Sequence, residues 1–129
     1  MSETTLGLLV LRTSRLEAML AFYLAIGLSF VEEKHGNGLV HYAAQVGTTV
    51  IEFYPAAPQE SQDQHGSGAT LLGFTVDDLE RSLAALMQKN VAMISEPKST
   101  SWGFPATVQD PDGRLLALTQ LPEEEEEEW

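Results

Sequence analysis

The sequence contains an internal repeat, and this feature restricts the possible folds more than any other. When Leu8 is placed over Leu71, the two halves run in register through one apolar run and one helical pattern. Segment 15–23 of the first copy then lies over segment 78–86 of the second. A chain of 129 residues with this repeat is therefore expected to consist of two copies of one small unit.

Each copy begins with an apolar run rich in Leu and Val, residues 6–11 in the first copy and 69–76 in the second. Apolar residues at helical spacing follow in both copies, which predicts one amphipathic helix in each. The two stripes consist of Leu16, Met19, Leu20 and Tyr23, and of Leu79, Leu83, Leu86 and Met87.

Residues at the ends of these stripes predict where the helices begin and end. Ser14 is expected to cap the first helix, and Asp77 or Asp78 the second. Gly27 and Asn90 tolerate the left-handed backbone region, so both helices are expected to end there.

Three strand-like stretches follow each helix and are separated by turn signals such as Gly36-Asn37-Gly38 and Asp110-Pro111-Asp112-Gly113. They are residues 28–33, 39–45 and 48–54, and then 91–95, 106–109 and 115–121. Both copies have the same order of elements, one strand, one helix and then three strands. This order predicts an α+β fold of two tandem βαβββ modules. We expect module one at about 6–54, a linker rich in Pro, Gln, Ser and Gly at 55–68, module two at about 69–121, and an acidic tail at 122–129.

The composition is that of a globular protein, with 43% hydrophobic residues. The apolar stretches are shorter than the roughly 18 to 20 residues of a membrane span, and no signal peptide is evident. The chain has no cysteine, which excludes a disulfide framework and a thiolate zinc site. A cytoplasmic protein that does not contact a membrane is the expectation.

The charge is strongly negative, with 7 Lys and Arg against 19 Asp and Glu. Without the six glutamates at 123–128, 13 acidic residues still face 7 basic ones. Such a surface repels phosphate backbones and attracts cationic small molecules, so nucleic acid is not expected as a partner. Solubility explains the charge equally well. The tail is either a solvated charge run or a segment whose Trp129 docks on a neighbouring chain.

Two phrases of the sequence are similar to motifs of one family. Residues 16–23, followed by Ile26-Gly27-Leu28, resemble the helix end of the vicinal oxygen chelate superfamily, which includes glyoxalases, bleomycin-resistance proteins and dioxygenases. Residues 108–116 resemble its last hairpin. The resemblance covers about residues 6–121, and it implies curled mixed sheets around a ligand cavity and pairing into homodimers.

The resemblance also implies four metal-ligand positions, which in this sequence hold Leu8, Glu52, Leu71 and Ala117. Only Glu52 among them can bind a metal, whereas catalytic sites use about three protein ligands. We therefore predict that the metal site of the family has been lost and that the protein uses no cofactor.

Glu52 is the first candidate functional residue. Its strand alternates so that Val50, Glu52 and Tyr54 share one face, which the resemblance directs into the cavity. A carboxylate in an apolar cavity is costly unless it is paired or hydrogen-bonded. Glu52 therefore serves a ligand, is a remnant satisfied by a neighbouring donor, or faces water at the cavity mouth. His41, in the adjacent strand, either contacts the same ligand, pairs with Glu52 or is structural.

Trp102 and Phe104 lie two residues apart in a loop before the penultimate strand, where they form an aromatic wall for a ligand or pack at a dimer interface. The resemblance points the same way, because bleomycin-resistance proteins carry a similar Trp-Gly there. His35 and His65 are interpreted as surface loop residues without partners for a metal.

Two functions from different classes remain open. The first is a protein that binds or sequesters a small, aromatic or cationic natural product such as an antibiotic. The second is a glyoxalase-like or dioxygenase-like enzyme that uses Glu52 with a divalent metal or as a general base.

Overall fold

A computed structural model describes residues 4–57, 70–96 and 104–121 of the chain. Module one contains strands β1 (Leu8–Thr13), β2 (Val31–Glu33), β3 (His41–Val46) and β4 (Thr49–Pro55), with helix α1 (Leu16–Ala25) between β1 and β2. Module two contains strands β5 (Leu71–Thr75), β6 (Met93–Ser95), β7 (Phe104–Gln109) and β8 (Leu115–Gln120), with helix α2 (Leu79–Met87) between β5 and β6.

The two modules have the same sheet topology, with strand orders β1-β4-β3-β2 and β5-β8-β7-β6. In each sheet the first and last strands of the module pair in parallel, and the other neighbours are antiparallel. Two mixed sheets and two helices in tandem confirm the predicted α+β fold.

A left-handed residue follows each helix as predicted, but α2 ends at Met87, three residues before Asn90, and only α2 begins with a predicted cap. Gly27 follows α1 with φ of 112°, and Asn90 follows α2 with φ of 59°. The carboxylate of Asp78 accepts the backbone N–H of Arg81 at 3.0 Å and caps α2. The prediction for Ser14 is wrong, because Arg15 is the residue at the N-terminus of α1 and makes no side-chain cap.

The strand boundaries differ from the predicted ranges by one to three residues, as β2, β6 and β7 illustrate. β2 starts at Val31 rather than residue 28, because Leu28 still closes the end of α1 by donating its N–H to the carbonyl of Tyr23 at 3.0 Å. β6 is also shorter than predicted. β7 starts at Phe104, which together with Pro105 was assigned to a loop. Proline is tolerated near the start of a strand, because its missing backbone N–H removes few interstrand hydrogen bonds there.

A hydrophobic core lies between the helices and one face of each sheet. Its largest fully buried side chains include Met19, Phe22, Tyr23, Phe53 and Leu118. The rings of Tyr23 and Phe53 lie edge to face at a centroid distance of 5.1 Å. Tyr23 also makes an edge contact with Phe74 of module two at 6.0 Å, so the two modules share this core.

The opposite face of each sheet is open. On β1, Leu11 and Thr13 are buried, whereas Leu8 and Val10 point the other way and are exposed. Leu71 on β5 is exposed as well. Neither helix among the described residues is long and apolar enough to cross a membrane.

Candidate functional site

The candidate residues of module one lie together on the open face of the first sheet. Along β4, Ile51 and Phe53 are buried in the core, and Val50, Glu52 and Tyr54 alternate with them and are half-buried. The three side chains therefore share the face opposite to α1, as the alternation predicted.

His41 lies on the same face, at the start of β3. Its side chain is 1% exposed, and its Nε2 lies 3.9 Å from Oε2 of Glu52, which is 19% exposed. The imidazole is stacked on the ring of Tyr54, with centroids 4.3 Å apart and planes at 11°. His41 and Glu52 therefore lie close together, which is compatible with their pairing, one of the alternatives open from the sequence.

Two further polar residues, which the sequence analysis did not select, reach this cluster. Glu33 lies opposite His41 in the antiparallel pair of β2 and β3, and its Oε1 lies 3.2 Å from Nε2 of His41. The same oxygen lies 3.6 Å from Nε2 of His35. One ligand atom from each of Glu33, His35 and His41 lies within 4.8 Å of the others, a grouping that could hold a metal ion.

This grouping corrects the interpretation of His35 as a loop residue without metal partners. Glu33 is the last residue of β2 and His35 lies two residues beyond it, and the turn that follows brings His41 back beside them. In that turn the N–H of Gly38 donates to the carbonyl of His35 at 2.9 Å. The signal in the sequence was a Glu-x-His pair and a second histidine on either side of Gly36-Asn37-Gly38.

The hydrogen bonds of His41 define which of its nitrogens faces the cluster. Nδ1 lies 3.2 Å from the carbonyl oxygen of Leu39. Because a carbonyl only accepts, Nδ1 carries the proton, and Nε2 is directed at the carboxylates of Glu33 and Glu52.

The carboxylates of this cluster also affect the pKa of the Tyr54 phenol. Desolvation of its hydroxyl raises its pKa above 10.0, and the nearby carboxylate of Glu52, as a charge and as a hydrogen-bond acceptor, raises this pKa further. The neutral phenol is therefore favoured at this face, where it presents a flat ring beside acidic groups.

The metal-ligand positions that the family resemblance implied do not form a donor set. Leu8 and Leu71 are exposed apolar residues at the starts of β1 and β5, and Ala117 lies in β8. Glu52 is the single donor among the four positions. The residues at those four positions therefore do not fit a metal ion. Glu33, His35 and His41 lie at other positions of the chain.

The predicted aromatic wall falls outside the part of the chain on which the structure reports side chains. Trp102 lies outside the described residues, and for Phe104 only the backbone position, opposite Gln120 at the start of β7, is described. Their roles in ligand binding remain predictions from the sequence.

Two grooves on the surface are lined by other residues than the candidate set. One, of about 440 Å³, lies between α1 and the first sheet. Its lining consists of Leu20, Ala21, Leu24, Phe30, Glu32 and Tyr42. The other, of about 310 Å³, lies between the modules and is lined by residues that include Leu9, Ile51 and Phe74. The cluster of His41, Glu52 and Tyr54 is instead part of an open sheet face.

The protein thus consists of two tandem βαβββ modules, and aromatic and acidic side chains cluster on the open face of the first sheet. Residues 5–118 match the model of the Glyoxalase/Bleomycin resistance protein/Dioxygenase superfamily, and the chain belongs to that superfamily. A search of curated protein sequences finds no match to the chain.

Several solved structures are similar to this one. TnmS3, an antibiotic binding protein from Streptomyces sp. CB03234, is 24% identical with a TM-score of 0.69, over 95% of this chain and 99% of that chain. A glyoxalase/dioxygenase from Nostoc punctiforme is 18% identical with a TM-score of 0.71, over 92% of each chain. A glyoxalase/bleomycin resistance protein from Streptomyces sp. CB03234 is 24% identical with a TM-score of 0.65, over 90% of this chain and 100% of that chain. At these identities the likeness shows the shared fold.

Proposed function

We propose that this protein binds a small aromatic and cationic natural product, such as an antibiotic, on the open face of the first sheet. The observation that carries the proposal is the stack of Tyr54 on His41, with Glu52 beside it and Glu33 beside His41. A flat ring next to carboxylates suits a planar cation, because the ring face and the acidic groups both attract positive charge.

The similarity to TnmS3, which is an antibiotic binding protein, supports the same class of ligand. Sequestration requires an apolar surface and a few polar contacts and no reaction chemistry. Val10 and Val50, which flank Glu52 on this face, supply the apolar part. The strongly negative charge of the chain adds a general attraction for cations.

A second copy of the chain completes the site in this proposal. An open sheet face does not enclose a ligand, whereas small-molecule sites bury most of the ligand surface. Leu8 and Val10 on β1 and Leu71 on β5 leave apolar surface uncovered in the single chain. A homodimer in the cytoplasm covers this surface and supplies the opposite wall of the groove.

The test is a thermal-shift screen of the metal-stripped protein against planar cationic natural products, because a ligand of the native state raises the unfolding midpoint. We expect at least one compound to raise the unfolding midpoint of the native protein. Tyr54→Leu and Glu52→Gln should each reduce that rise. Tyr42→Leu is the matched control, since Tyr42 lies on the adjacent strand opposite Phe53 and lines another groove. Equal shifts in all three variants would place the ligand elsewhere and contradict the proposal.

A variant of Trp102 tests the predicted aromatic wall. Trp102→Ala is expected to weaken binding of the same compound, and Tyr42→Leu is again the control, because Tyr42 lines another groove. If both variants bind as the native chain does, Trp102 does not line the site.

Catalysis is the second candidate, and one contact favours it. Glu52 is largely shielded from water and lies 3.9 Å from Nε2 of His41, so a proton abstracted by the carboxylate could be shared with the imidazole. A glyoxalase-like or dioxygenase-like enzyme would turn over its substrate, and Glu52→Gln would abolish turnover while retaining binding. A ligand recovered unchanged after prolonged incubation rejects this candidate for that ligand.

A further inference from the structure

The β2–β3 hairpin brings two histidines and a carboxylate to one point outside the metal-ligand positions that the family implies. We propose that Glu33, His35 and His41 form a binding site for a divalent first-row transition metal, with Zn²⁺ as the reference ion. This inference goes beyond the proposed ligand binding and does not depend on it.

The distances within the cluster fit a shared ion. Two ligand atoms that lie about 2.1 Å from one tetrahedral zinc ion are about 3.4 Å apart. Oε1 of Glu33 lies 3.2 Å from Nε2 of His41 and 3.6 Å from Nε2 of His35. The three ligand atoms lie within 4.8 Å of one another, so the exposed side chain of His35 would rotate inward to share one ion with the other two.

The chemistry of the donors suits the same class of metal. Imidazole nitrogen is a suitable ligand for zinc, nickel, copper and iron. Two histidines and one carboxylate form the donor set of some catalytic zinc centres. His41 is already arranged as a metal ligand, because its Nδ1–H donates to the carbonyl of Leu39. That bond orients the ring so that Nε2 faces the cluster, where a bound ion would take the place of the proton that Nε2 needs to bond Glu33.

Charge and access complete the argument. Glu52, whose Oε2 lies 3.9 Å from Nε2 of His41, adds a second carboxylate beside the site, and two carboxylates offset the charge of a divalent ion. Burial differs among the ligands: His41 is 1% exposed, Glu33 35% and His35 76%. The buried histidine gives a rigid base to the site, and the exposed side gives the ion an entry path and an open position for an exogenous ligand.

The experiment is equilibrium dialysis of the metal-stripped full chain against Zn²⁺, with Co²⁺ absorption as an independent reporter of the coordination geometry. We expect one bound ion per chain. His35→Gln and Glu33→Gln should each weaken its binding by more than about tenfold, the scale of loss when metal-site residues are changed. Both residues are partly or largely exposed, so these variants are expected to fold, which circular dichroism verifies.

Glu32→Gln is the matched control. Glu32 is adjacent to Glu33 but lies on the other face, opposite Tyr42, and lines the groove beside α1. All of these chains keep the six glutamates at 123–128, so any binding by the tail is common to them. Native-like affinity in Glu32→Gln together with the loss in the two ligand variants supports the site.

Two outcomes overturn the inference. One is the absence of a bound ion in the native chain, and the other is an affinity that His35→Gln and Glu33→Gln leave unchanged. The natural-product screen uses metal-stripped protein, so its failure and the failure of the metal site are separate results.

Discussion

The hydroxyl of Tyr23 donates a hydrogen bond of 2.8 Å to Oδ2 of Asp110, although 87 residues separate the two. Tyr23 belongs to the helix phrase, and Asp110 to the hairpin phrase, that together carried the family resemblance. Asp110 also accepts the guanidinium of Arg114 at 2.8 Å and the backbone N–H groups of Asp112 and Arg114. The buried carboxylate of Asp110 thus stabilises the last hairpin of module two and links that hairpin to α1 of module one.

Removal of this hydroxyl should destabilise the whole fold. Tyr23→Phe keeps the packing of the ring but deletes a buried hydrogen bond to a charged group, which contributes about 1.5–3 kcal/mol. Urea denaturation monitored by circular dichroism measures the change in the free energy of unfolding. Tyr42→Phe, on a half-buried tyrosine of the first sheet, is the control and should cost less. Equal losses would mean that the hydrogen bond does not join the modules energetically.

The same contact predicts a loss of stability in alkali. Burial, and secondarily the charge of Asp110, raises the pKa of Tyr23 far above its ordinary value of 10.0. A raised folded pKa favours the protonated phenol, so its contribution to stability is complete below about pH 10 and declines as the pH rises above that value. Tyrosinate absorbance followed together with circular dichroism should show Tyr23 ionising only as the chain unfolds. Ionisation of all three tyrosines in the folded chain would contradict this.

The cap of α2 can be tested against the alternative that the sequence left open. Asp78→Ala removes the side chain that accepts the N–H of Arg81 and should cost about 1 kcal/mol. Asp77→Ala removes the neighbouring carboxylate of the same type and should cost less. The free energies of unfolding of the two variants decide the comparison, and a larger loss in Asp77→Ala would assign the cap to Asp77.

The core of module two offers a matched pair of leucines on or next to one strand. Leu118→Ala empties a fully buried position and should cost about 2–5 kcal/mol. Leu121→Ala, just beyond β8 and exposed, should change stability by less than about 0.5 kcal/mol. Chemical denaturation of both variants measures the difference, and similar costs would argue against the described burial of β8.

The proposed homodimer predicts a response to charge on the open face. Val10→Asp places a carboxylate in the apolar surface beside Glu52, so it should shift the equilibrium towards monomer in sedimentation measurements. Leu24→Asp is the control, because Leu24 is also an exposed apolar residue but lies on α1. If the native chain already sediments as a monomer of 14.1 kDa, the second copy does not form the groove.

The sequence by itself determined the repeat, the two helices, the strands that alternate and the family to which the chain is similar. These features depend on local patterns: apolar spacing in α1 and α2, Gly27 and Asn90 at the helix ends, and alternation along β4 that put Glu52 and Tyr54 on one face. The helix and strand patterns among them are each expressed within about ten residues, where backbone geometry alone sets which side chains share a face.

Only the tertiary structure decided which distant or differently oriented groups meet. Glu33 and His35 join His41 because the register of the β2–β3 hairpin pairs Glu33 with His41, and register depends on the turn and on cross-strand contacts rather than on composition. The bond between Tyr23 and Asp110 likewise requires both modules to pack on one core. Spacing along the chain does not encode such proximity, because it arises when separate elements bury their apolar faces against each other.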